Sequence, residues 1–298
     1  MSELTRRILF GVVAAPLGIV IVFFGGAALA ALLAIVAALG AWEFYRIARA
    51  SGLTPLDDVG IVLAGVAPLF VHARYLGLYE LPLSGMAVAV LVLLALAIWM
   101  RGVSGKPLGA VASTVFGIIY TGGMLSFGYA IRYHPYVIGD VALPFGGRRL
   151  TVASGGLLLL LPLLLTWASD IGAYAVGRSL GKRKLIPSVS PGKTVAGAVG
   201  ALVVTAGVSW VYTRTVLTPT TQLGFVAGGA ILFGVLVSVA AQIGDLAESL
   251  LKREGGVKDS SHIIPGHGGV LDRFDSLLFV LPVSYVLLNT LLVWAPSR

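Results

Sequence analysis

Cysteine is missing from all 298 residues, so no disulfide framework, thiolate zinc site or thiol nucleophile can be built from this chain. Charge is scarce as well. Asp, Glu, Lys and Arg make up 11% of the sequence, where soluble domains carry about 25%. Only four histidines are present, which makes zinc a poor fit. Internal repeats and low-complexity tracts are not evident. What fills the chain is apolar: 57% is hydrophobic, in runs that recur at the ~20-residue length a bilayer-crossing helix needs. The composition excludes an ordinary soluble domain and implies an all-α, polytopic bundle in the lipid bilayer. The net charge of +8 fits loops facing anionic lipid and phosphate, and no nucleic-acid partner is expected.

About nine spans are expected, near residues 8–24, 26–42, 59–79, 83–100, 108–131, 152–176, 195–217, 222–245 and 271–294. They form one membrane domain, 1–298, with the N-terminal spans in 1–150 and the polar loops in 151–298. The first span follows Arg6-Arg7 without a convincing cleavage pattern, so it reads as a retained helix. The third is the weakest. Pro68, His72 and Arg74 interrupt it, and a re-entrant segment is the alternative.

Nine spans put the N-terminus and the loops near 43–58, 101–107, 177–194 and 246–270 on one side. That side holds every Lys and Arg except Arg74, Arg132, Arg148, Arg149, Arg214 and Arg298. The excess marks it as cytoplasmic.

Residues 244–275, GDLAESLLKREGGVKDSSHIIPGHGGVLDRFD, concentrate the charge the rest of the chain lacks. Asp245, Glu248, Ser249 and Lys252 share one helical face at i, i+3, i+4 and i+7 as the eighth span ends. Asp272 and Asp275 are i, i+3 neighbours at the entrance to the ninth. Carboxylates gathered at a membrane edge repel one another and suit a hard cation. Mg²⁺ is typically shared between one or two carboxylates and substrate phosphates, with Lys252 and Arg273 facing those phosphates. The glycines around His267 let backbone approach a ligand. His267 itself is either a ligand contact or a hydrogen-bonding spacer.

The second polar stretch, 167–194, begins with Asp170 inside a span, one turn from Trp167 and Tyr174. An ionisable group at that depth is a functional candidate, against the plainer role of a helix-packing Asp. Arg178 and the run Lys182-Arg183-Lys184 follow. Ser190-Pro191-Gly192-Lys193-Thr194 then reads as a helix start capped by Ser190, with free N–H groups facing an anion. Gly192-Lys193-Thr194 mimics the end of a Walker A loop, but Pro187 stands where that motif needs glycine. A P-loop is excluded.

SLLKREGGVKDSSHIIPGHGGVLDRFD, residues 249–275, closely resembles the signature of phosphatidate cytidylyltransferases, also called CDP-diacylglycerol synthases. Residues 167–194 resemble that family too, through Trp167, Asp170, Tyr174, Gly177-Arg178, Gly181-Lys182 and Ser190-Pro191-Gly192-Lys193-Thr194. One departure is Ala196, where the family usually has an acid.

The resemblance implies the reaction of CTP with phosphatidic acid to CDP-diacylglycerol and pyrophosphate. It implies catalytic roles for Asp245, Lys252, Asp272, Arg273 and Asp275. Asp245 and Asp272 are expected to hold Mg²⁺, with Asp275 as a further ligand or holder and a second cation left open. Substrate contacts are expected at Asp170, Arg178, Ser190, Lys193, Thr194, Ser249, His267 and Gly268. A homodimer in a bacterial inner membrane, with its site toward the cytoplasm, completes the expectation. The residues alone leave two rivals standing. A transporter also places acids in spans, though acids at one rim and the absence of visible symmetry between halves disfavour it. A CTP-using polyprenol kinase shares acids and basic loops but transfers the γ-phosphate.

Overall fold

The computed structural model describes residues 3–78, 83–137, 139–145, 148–264 and 268–295. Among these residues nine helical segments follow one another: α1 (Glu3–Phe24), α2 (Gly26–Ala50), α3 (Asp57–Tyr75), α4 (Leu83–Met100), α5 (Pro107–Arg132), α6 (Ser154–Leu180), α7 (Val195–Thr221), α8 (Gly229–Glu254) and α9 (Leu271–Leu291). Seven are long and apolar enough to cross a membrane by length and composition. The apolar parts of α1 and α4, Gly11–Phe24 and Ala87–Met100, are shorter. The protein is a polytopic helical membrane protein, and seven of the nine expected spans meet that measure. Strands are confined to three antiparallel pairs: β1 (Asp140–Phe145) with β2 (Arg148–Ala153), β3 (Lys184–Ile186) with β4 (Ser190–Thr194), and β5 (Leu223–Phe225) with β6 (Leu292–Trp294).

The weak third span is one uninterrupted helix, not a re-entrant loop. Its polar residues explain why. Asp57 and Asp58 occupy the first turn, His72 and Arg74 the last, so the two acids and Arg74 lie at the helix ends whose dipole favours them. Pro68 sits inside it, as transmembrane helices tolerate.

Packing divides the chain into two compact units: Met1–Ala15, Gly26–Tyr129 and Leu250–Phe274 form one, and Pro16–Gly25, Ala130–Ser249 and Asp275–Arg298 the other. In the first, α2 packs against α3 and α5. Tyr45 is fully buried and donates to the Thr114 carbonyl at 2.8 Å, while Thr114 Oγ1 accepts from Leu56 N at 2.8 Å. Leu56, Leu93, Ala97 and Val111 close an apolar cluster between α3, α4 and α5. A wide π-type turn at Ile119–Gly123 interrupts α5 and places buried Tyr120 beside Phe44 and Phe116.

In the second unit, α6 and α7 form an antiparallel hairpin. A side-chain carbon at Gly172 would stand 3.0 Å from Val204, and one at Gly197 2.7 Å from the Ala173 carbonyl. Small residues at such crossings let membrane helices approach closely. The Tyr212 hydroxyl donates to the Leu157 carbonyl at 2.8 Å, and Ser169 meets Ser238 of α8 at 3.0 Å. Arg132, buried, caps the end of α1 by donating to the carbonyls of Val22 and Phe23 at 2.9 and 3.0 Å.

The helix expected to begin at Ser190 begins four residues later. Pairing of β3 with β4 holds Ser190–Thr194 extended, and Thr194 is the cap of α7, its hydroxyl accepting from Gly197 N at 3.1 Å. Thr satisfies an otherwise orphaned helix N–H as Ser would. The non-local strand pairing overrides the local Ser-Pro start signal. Residues 222–228, expected inside the eighth span, hold β5 and a turn instead, and α8 extends to Glu254.

Candidate active site

Among the described residues, each unit carries a lysine–aspartate pair from the two polar stretches. In the first, Lys252 in the last turn of α8 reaches Asp272 in the first turn of α9, Nζ to Oδ1 at 2.6 Å. The pair is nearly dry, with side chains 12% and 8% exposed. Asp272 also accepts from Ser260 N at 3.0 Å and Gly269 N at 2.8 Å on Oδ2, and Ser260 Oγ lies 2.9 Å from the same oxygen. These donors stand in for the water that the site excludes.

Two glycines of the motif have steric reasons. Gly268 has a φ of +81°, and a side-chain carbon there would stand 2.7 Å from Asp272 Oδ2. At Gly269 it would stand 2.5 Å from Glu43 Oε1. Ile264 N donates to the Gly268 carbonyl at 3.0 Å, closing the turn. His267, with Pro265 and Gly266, lies outside the described residues. Arg273 is exposed and has no ion-pair partner among the described residues.

In the second unit, Lys193 Nζ meets Asp245 Oδ2 at 2.5 Å, with side chains 25% and 35% exposed. Ser249 Oγ approaches Asp245 Oδ1 at 3.4 Å, too long to add much. Asp275 Oδ1 accepts from Ser276 N at 2.5 Å. Glu248 is fully buried. Asp170 lies on an exposed face of α6 with Trp167 and Tyr174. Arg178 donates to the Tyr174 hydroxyl at 2.6 Å, its guanidinium 5.8 Å from that ring. Ser190 sits in β4 and Thr194 is occupied as the α7 cap, so neither heads an open helix N-terminus at residue 190.

Among the described residues no three His, Asp or Glu side chains gather as a metal cage. Mg²⁺ does not require one, because phosphate oxygens and waters complete its shell. The donors present, carboxylate oxygens without thiol or clustered imidazole, fit a hard cation.

Residues 5–291 match the cytidylyltransferase family. The chain belongs to that family. A phosphatidate cytidylyltransferase of Synechocystis sp. is 30% identical over 308 aligned residues, 97% of each chain. Its counterpart from Bacillus subtilis is 48% identical over 122 residues, 41% of this chain and 44% of that protein. The one from Haemophilus influenzae is 42% identical over 152 residues, 50% and 51% of the two chains. In those last two alignments the chain spans about half of each relative or less.

For this cytidylyltransferase-family member the motif does not stand alone. Glu43 of α2, fully buried, accepts from Ser260 Oγ at 2.9 Å, Val270 N at 2.9 Å, Leu271 N at 2.5 Å and, at very short range, Ser261 Oγ. Nothing in the polar stretches points to it. The signal that could have found it is its place one residue past the second expected span, 26–42, as the one acid of α2, since ionisable groups at a span's edge are costly and seldom idle.

Proposed function

We propose that the protein transfers the cytidylyl group of CTP to phosphatidic acid, releasing pyrophosphate and making CDP-diacylglycerol at the cytoplasmic face of the cell membrane. An oxygen of the lipid phosphate attacks the α-phosphorus of CTP. The bond from that phosphorus to the bridging oxygen breaks, and the electron pair leaves with pyrophosphate. A phosphomonoester whose second pKa is about 6 is already a competent nucleophile near neutral pH, so no activated serine is needed.

The difficulty of this reaction is charge, because two anions must meet. Lys252 and Arg273 neutralise the α-phosphate and the departing pyrophosphate, and Lys193 and Arg178 hold the triphosphate or lipid headgroup. Asp272 and, in its own unit, Asp245 would each offer a carboxylate to Mg²⁺, which supplies further neutralisation and in-line positioning when bound. The observation that carries this reading is the Lys252–Asp272 pair, braced by Ser260 and Gly269 inside the motif. A buried ion pair rarely stabilises a fold over apolar residues of the same volume, which points to a use for its charges. The excess of Lys and Arg in the same set of loops supports the cytoplasmic face.

The test uses purified protein, phosphatidic acid and CTP labelled at the α-phosphate. Label appearing in lipid is the expected result. Phosphorylated lipid with label left in soluble nucleotide would mean a kinase, and no chemistry at all would leave transport or binding. Either overturns the proposal.

A further inference from the structure

We infer that Glu43 is a positioning residue for the transfer reaction: from α2 it holds both ends of the motif loop and, through Ser260, sets where the Asp272 carboxylate stands. This rests on the function proposed above. The four donors to Glu43 come from two places in the chain, Ser260-Ser261 at one end of the loop and Val270-Leu271 at the other. Val270 and Leu271 open α9, where helix N–H groups lack intrahelical acceptors. Glu43 thus caps α9 from another helix, leaving Asp272 to turn its oxygens to Gly269 N, Ser260 and Lys252.

Ser260 links the two carboxylates. Its hydroxyl lies 2.9 Å from Glu43 Oε2 and 2.9 Å from Asp272 Oδ2. The hydroxyl has one proton to share between the two carboxylates, so removing the acceptor at Glu43 frees it to turn and alters one of the contacts that fix Asp272.

A buried charge needing four donors is an expensive way to fill space. A glutamine or an aliphatic residue would pack α2 against the loop without the desolvation a carboxylate costs. Glutamine, however, presents an NH₂ where four donors converge and cannot accept from all of them. The carboxylate is the group this donor set selects.

Glu43→Gln is expected to lower kcat by ~10–100-fold, the scale of partners that orient a metal ligand, with KM for CTP close to that of the unaltered protein. Amide hydrogen exchange at Val270 and Leu271 should speed up in the same variant. Adding Ser260→Ala should lose little more than the larger single loss, because both act through one contact. Unchanged kcat, unchanged exchange, or losses that multiply would each overturn the inference. Should Glu43→Gln not purify, Ser261→Ala removes one donor to Glu43 without touching Asp272. It should show the same pattern at smaller size, and normal kcat there would count against the inference. If unaltered protein transfers no cytidylyl group, the proposed function fails. Exchange at Val270 and Leu271 then decides by itself whether Glu43 holds the loop.

Discussion

Asp272 and Asp245, both assigned to the proposed cation, sit in different surroundings, and their substitutions should differ accordingly. Asp→Asn at either position keeps size but removes a charge assigned to the proposed cation, so activity should fall by orders of magnitude. Stability should separate them. Asp272→Asn removes the charge opposite Lys252, which is 12% exposed, and breaking a buried pair in this way costs ~3–5 kcal/mol. Asp245→Asn leaves Lys193 at 25% exposure, nearer the ~0–1 kcal/mol of accessible pairs. Thermal unfolding in detergent measures the difference, and equal losses would refute it. Glu254→Gln, at an exposed position, should leave both activity and stability unchanged. Normal turnover and normal Mg²⁺ dependence in both aspartate variants would sink the metal assignment.

At the level of elements, the start of α7 gives the sharpest contrast between local signal and structure. Ser190-Pro191 has the local chemistry of a helix start, yet strand pairing with Lys184–Ile186 keeps it extended and gives the cap to Thr194. Thr194→Ala should destabilise by ~1 kcal/mol, the usual worth of such a cap, whereas Ser190→Ala should leave the unfolding temperature in place. The reverse order would restore the earlier start. Lys252, Asp272 and Gly268 stand out in the sequence because they lie in one continuous stretch with its own charge pattern, though the pairing of Lys252 with Asp272 is not expected from it. Glu43 does not, because its donors are 217 to 228 residues away in the chain, and no window of sequence contains both. The pairing of β3 with β4 escaped notice for a similar reason. Its residues carry basic and turn character, and neither announces a strand.

On the scale of the whole molecule, hydropathy and the Lys/Arg excess outline a polytopic bundle, while the number of crossings turns on two short segments. Seven helices pass the length and apolarity measure, with Gly11–Phe24 and Ala87–Met100 below it. If both short segments cross, or neither does, the count stays odd and the two termini face opposite compartments. A reporter fused after Arg298, which lies outside the described residues, should therefore signal from the non-cytoplasmic side. A cytoplasmic signal would put the 246–270 loop, one span earlier, on the other side and overturn the orientation.

The clamp around Glu43 also bears on how the chain is made. Glu43 leaves the ribosome long before its donors, with Ser260 following 217 residues later. At ~5–20 residues per second, α2 waits about ten to forty seconds before the loop that satisfies its carboxylate exists. Until then the nascent helix carries an acid whose final donors have not been synthesised, in a region where an unpaired charge is costly. Nascent chains stalled before Ser260 should accordingly be better substrates for membrane quality-control proteases than chains stalled after Leu271. The last third of translation is then the step that commits the first third to its place in the bilayer.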